Sequence, residues 1–206
     1  MPIIVKEPEG VNFERCPAGS HSAVCIGVYD IGDHIVSYQG VEKMKRKLII
    51  CWEIDEKITT GDYAGKRFVV SKEYNSYLHE KSSLRHDLES WRGRAFTEEE
   101  LQGFDVEKVV GVPCLVHVIH EKSKNGYTYV KVSTVVSLPK SMSKITQETD
   151  WSNDQYPNWI KKKQIEGGIQ DISIEEKKQQ QTSQPDSQNS SITFDEDTYP
   201  DDGVPF

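Results

Sequence analysis

The amino-acid sequence predicts a mainly β fold: a five-stranded barrel with a helical insert between its third and fourth strands, followed by a disordered polar C-terminal tail. Three observations carry this expectation. Apolar and polar residues alternate in several short runs before residue 140. One stretch among those runs switches to helical spacing. Beyond Pro139 the alternation ends and the composition turns polar.

The first ~15 residues read as an extended arm. In "SHSAVCIGVYDIGDHIVSY", Val24, Ile26 and Val28 alternate with smaller or polar residues, as in a half-buried strand, and Gly27 and Gly32 suit a bend or bulge. "KRKLIICWEID" is the second strand, with Leu48, Ile50, Trp52 and Ile54 on one face and Ile49, Cys51 and Glu53 on the other. "GKRFVVS" is a short third strand. Leu84, Leu88 and Trp91 then fall on one helical stripe that Gly93 is placed to stop. Thr97 and Glu100 form a capping-box pattern, and Asp105 caps a turn running to Val109. "VPCLVHVIHE" and "YTYVKVSTVVSL" are the last two strands, joined through Asn125-Gly126, the favoured type I′ hairpin dipeptide. Three strands, a helical segment and a hairpin make the element order of an OB-fold.

The charge is unevenly spread. The chain has 206 residues, 35% of them hydrophobic, and a net charge of −8. Residues 1–140 are nearly balanced at −1, while residues 183–206 carry no basic residue and a net −6. The body is therefore free to carry basic patches although the whole chain is acidic. No signal-peptide pattern and no apolar run of ~20 residues is visible, which points to a cytoplasmic protein with no membrane association and reduced thiols. Cys16, His21, Cys25 and His34 match no common zinc spacing, and no cofactor is expected.

Two residue types point to nucleic acid. Lys43, Lys45, Arg46 and Lys47 open the second strand, Lys66 and Arg67 the third, Arg92 and Arg94 close the helix, and Lys122, Lys124 and Lys131 lie on or beside the last hairpin. Tyr127 and Tyr129 share a strand face with Lys131, opposite the more apolar Thr128, Val130 and Val132. Exposed rings beside cations suit single strands, whose bases stack while phosphates meet lysines. Tyr74 and Tyr77 are further stacking candidates, and Trp52 is divided between core and stacking. An enzyme reading would use Glu53, Asp55 and Glu56 on a metal with His117 or His120 as base, as in a metal-dependent nuclease. His117 and His120 fall on opposite strand faces, and no catalytic motif accompanies them. A third reading is an RNA-binding or adaptor protein.

Residues 141–166 form an aromatic and basic extension. Its Trp151, Tyr156 and Trp159 beside Lys161–Lys163 could stack on bases, dock on the barrel or bind a partner. Residues 167–200 read as a flexible polar linker with a root-mean-square span of about 30 Å. The chain then closes on "DDGVPF".

That ending resembles the acidic tip of bacterial single-stranded-DNA-binding proteins, with Asp201, Asp202, Val204, Pro205 and Phe206 in matching places and Gly203 where a further aspartate is usual. The body resembles phage-encoded single-stranded-DNA-binding proteins over most of residues 17–140, through "CPAGSHSAV", "KRKLIICWEI", "EKSSLRHDLESWRGRAFTEEELQGFD" and "LPK". The resemblance implies an OB-fold that coats single-stranded DNA in phage replication or recombination, and a tip that recruits replication and recombination proteins. The expected phosphate contacts are Lys45, Arg46, Lys47, Lys66, Arg67 and Lys131; the expected partner contacts are the five matching tip residues. Whether the chain assembles with copies of itself stays open.

Overall fold

The computed structural model describes residues 14–38, 40–151 and 155–169. Most of the expected N-terminal arm, nearly all of the linker and the whole tip, Asp201 to Phe206, lie outside these residues.

The strands are β1 (Gly19–Tyr38), β2 (Val41–Lys57), β3 (Arg67–Asn75), β4 (Pro113–Lys122) and β5 (Thr128–Ser137). They form one antiparallel sheet in the order β3-β2-β1-β4-β5. β3 and β5 share no ladder, so the sheet is not closed. β1 pairs with β2 along most of its length and with β4 over Gly19–Val24. Its register shifts between Cys25 and Gly27 and between Asp30 and Gly32, the bulges that bend so long a strand.

Between β3 and β4 the chain forms α1 (Ser83–Arg92), α2 (Glu98–Gln102) and a 3-10 turn (Val106–Val109). Ser82 caps α1, and Gly93 ends it in the left-handed region at φ 68°. Thr97 and Glu100 make a full capping box on α2. Leu84, Leu88 and Trp91 of α1 join Leu48, Ile50, Trp52, Ile54, Val116, Val118, Val132 and Val135 in the main core.

A second core lies on the other face of β1 and β2. Val24, Ile26, Ile31, Ile49 and Cys51 are covered there by Ile145, Trp151, Tyr156 and Ile160, the last on α3 (Asn158–Glu166). Of the three readings of the extension, docking on the sheet is the one the structure displays. We call residues 145–167 the strap. The Tyr29 ring packs between the strap's rings, its centroid 4.7 Å from that of Tyr156 and 6.4 Å from that of Trp151.

Two stacking candidates are corrected here. Trp52 is fully buried, on the inner face with Ile50 and Ile54, and its ring lies 6.1 Å from that of Trp91. β3 runs to Asn75, four residues past the expected end, which carries Tyr74 into the sheet opposite Leu48. Tyr74 is 2% exposed and its hydroxyl donates to Asp87 at 2.7 Å. Neither ring has a face open to a base. All four cysteines are free and buried. No described helix is long and apolar enough to cross a membrane.

Candidate nucleic-acid interface

The sequence-predicted residues fall into separate clusters. The first lies at the β1–β2 hairpin. β2 begins at Val41, so Lys43, Lys45, Arg46 and Lys47 are all strand residues on the hairpin arm. Lys45 Nζ donates to the Tyr77 hydroxyl at 3.2 Å and stands 5.4 Å from the ring centroid. Arg46 reaches across to Asp30, its Nε donating at 2.9 Å, and this partner raises the guanidinium's already high pKa. Lys47 donates to Glu73 at 2.6 Å. Ile35, Val41 and Met44 on the same arm are more than half exposed. Apolar side chains left open beside four cations are suited to a ligand that has both rings and charge.

The second cluster lies on the β4–β5 hairpin. Tyr127 is 76% exposed at its tip and Tyr129 is 45% exposed. Tyr129 and Lys131 converge on Glu121, the hydroxyl donating at 2.7 Å and Nζ at 2.9 Å. Those two hydrogen bonds hold the Glu121 carboxyl below its usual range. Glu121 thus fixes a ring beside an ammonium. A bulge at Ser133, where Thr134 pairs with His117 and Val132 with Val118, lets both Val132 and Val135 point inward. A single alternation along β5 does not capture that.

Lys66 stands over the ring of Tyr63 at 5.4 Å, and Tyr63 is half exposed. Sequence reasoning missed Tyr63; the signal was its place in "GDYAGK", between two turn glycines and beside a cation. Arg92 and Arg94 both bind Glu100, which is pulled down to about 2. The Arg92 guanidinium also lies against Phe96 and Phe104, so it is part of the helical packing.

Arg67 is the clearest departure from expectation. Its side chain is 12% exposed. It donates to the fully buried Glu53 at 3.0 Å and to the Thr146 carbonyl at 2.7 Å, and pairs with Glu148 at 3.0 Å. Glu53 in turn accepts from the Glu148 amide at 3.0 Å and the Thr149 amide at 2.7 Å. Burial raises the Glu53 carboxyl, but Thr149, the two amides and Arg67 outweigh it and hold it below the usual range. Both residues therefore anchor the strap. Arg67 is corrected from a phosphate contact, because both of its terminal nitrogens are engaged by Glu53, Glu148 and the Thr146 carbonyl and its Nε is buried. The Glu53 carboxylate is likewise taken up by Arg67 and the two amides.

The clusters are supplied by different hairpins, and Lys43, Lys45, Arg46 and Lys47 stand on a different one from Tyr127, Tyr129 and Lys131. Comparison of the chain with protein-family models finds no match, and comparison with curated protein sequences finds none.

Proposed function

We propose that this protein binds single-stranded DNA with little sequence preference, coating it during phage DNA replication or recombination, and that it is not an enzyme. The observation that carries the reading is the repeated placing of a partly exposed tyrosine beside a cation: Tyr77 with Lys45, Tyr63 with Lys66, and Tyr129 with Lys131 through their shared carboxylate Glu121. Rings stack on bases of any identity, at roughly 1–3 kcal/mol each, and ammonium groups follow the phosphates. The strand order supports an OB-type barrel opened between β3 and β5, with β1–β2 and β4–β5 as its binding hairpins.

Partner recruitment belongs to Asp201, Asp202, Val204, Pro205 and Phe206, outside the described residues. Two carboxylates followed by a stiff Val-Pro-Phe suit a basic rim around an apolar hole.

A salt titration of binding to single- and double-stranded DNA, with oligo-dT and oligo-U in parallel, tests the reading. The expected result is preference for the single strand, tolerance of sequence, and a steep fall in affinity with salt. Preference for oligo-U would move the assignment to RNA. Binding to no nucleic acid would end it.

A further inference from the structure

We infer that the strap helix α3 is itself part of the single-strand binding surface: Trp159 stacks a base and Lys162 and Lys163 contact phosphates, continuing a track from Lys47 of β2. This inference rests on the single-stranded-DNA reading above and specifies where on the molecule the strand runs.

The starting point is the covered sheet. In an OB-type barrel the outer face of strands 2 and 3, together with the hairpin loops, is where oligonucleotides lie. Here the outer face of β1 and the adjoining part of β2, with Val69 of β3, is packed under Ile145, Trp151, Tyr156 and Ile160. α3 lies on β1 beside that face and reaches β3 through Lys163 and Glu73, so a strand passing over β2 and β3 runs along the flank of α3.

α3 divides its residues accordingly. Ile160 is fully buried, and Gln164, one turn on, donates to the Asp30 carbonyl at 2.9 Å. These two positions bind the sheet. Trp159, Lys162, Lys163 and Glu166 occupy the i, i+3, i+4, i+7 stripe on the adjoining flank. Trp159 is 42% exposed, and the Lys162 and Lys163 side chains are 79% and 38% exposed. On the third side Lys161 lies over the Tyr156 ring at 5.2 Å, which ties it to the strap.

The link to β2 is Glu73. Its two oxygens accept from Lys47 and from Lys163, each at 2.6 Å. One carboxylate thus holds two ammonium groups from different elements side by side and neutralises only one of them. Burial raises the Glu73 carboxyl, while Lys163 and Lys47 bring it below its usual range, so it stays ionised and keeps both in place. Among the described carboxylates at this edge, Asp30 is engaged by Arg46 and Glu166 by Lys162, and Asp33 also acts on Arg46. A half-exposed indole one helical turn from two ammonium groups that share a single carboxylate is a base-stacking platform with phosphate contacts beside it.

The test compares the full chain with three variants, K162A/K163A, W159F and the charge-matched control K108A/K140A, titrated with oligo-dT across a salt series. For single strands each lost phosphate contact lowers the salt slope by about 0.7, so K162A/K163A should lower it by roughly 1.4. Affinity at low salt should fall at least fivefold more than in the control. Wild-type tryptophan emission should be quenched on binding, and W159F, which keeps an aromatic ring at this partly exposed position, should lose most of the quenching. Equal losses in K162A/K163A and the control, or unchanged quenching in W159F, would overturn the inference while leaving the binding reading intact. A wild-type chain that binds no single strand removes both.

Discussion

At the scale of single residues, Glu53 shows most clearly what a local sequence reading leaves out. A glutamate on the outer face of an alternating strand reads as a solvated charge or a metal ligand. It is buried because the Glu148 and Thr149 amides arrive from 95 and 96 residues downstream. No feature near residue 53 announces that. Trp52 and Tyr74 were legible only in part, since alternation placed Trp52 with Leu48 and Ile54 but did not reveal that this face is the inside. Tyr127 and Tyr129 were more accessible to reasoning, because the opposite face of β5 carries the valines. The lowered pKa of Glu53 has a definite sign. A carboxyl depressed in the folded state contributes stability above its ordinary value of 4.5, and that contribution is lost as the pH falls through the folded value. The strap should therefore stay docked at neutral pH and loosen below about pH 4.5, as seen by tryptophan emission. Glu53→Gln should remove that acid-sensitive step and cost about 1–3 kcal/mol at neutral pH. An acid response identical to wild type would mean another group controls the strap.

Among elements, α3 contrasts with the helix caps. Gly93, Thr97 and Asp105 act on their own neighbours in the chain, so their roles can be read from a few residues. α3 has nine residues and no side-chain cap at its N-terminus. An isolated helix that short is unstable in water, so its existence depends on docking. Besides Ile160 and Gln164, the docking includes a close backbone contact. Gly167 at the end of α3 accepts from the Asp33 amide at 2.9 Å. A Cβ on Gly167 would lie 1.8 Å from the Ile31 carbonyl, and one on Gly32 would lie 2.2 Å from the Gly167 carbonyl. Gly32 also has φ +78°, which favours glycine in any case. Gly167→Ala should therefore detach α3, losing the roughly 1.5–3 kcal/mol that burial of Ile160 contributes. Trypsin should then cut at Lys161–Lys163 well before it cuts the sheet. Resistance equal to wild type would show that the helix can shift without releasing its seat.

For the whole molecule, net charge is a poor guide because it is so unevenly distributed. Residues 183–206 hold −6 of the total −8, while clusters of cations stand on the β1–β2 and β4–β5 hairpins and on α3. An anionic segment of the same chain and a nucleic acid compete for the same cations. Deleting residues 201–206 should leave affinity for single-stranded DNA unchanged or raise it at low salt, measured by fluorescence anisotropy; a collapse of affinity would assign the tip to DNA binding instead of partner recruitment. The strap also has a consequence for biosynthesis. Gln164 binds Asp30 across 134 positions of sequence. The ribosome therefore finishes β1 and β2 well before it makes the segment that shelters their outer face. From Lys57 to Gly167 the delay is about 5–20 s at ordinary elongation rates. For that interval Val24, Ile26 and Ile49 are a bare apolar stripe on a nascent chain, exposed to chaperones and to neighbouring polypeptides.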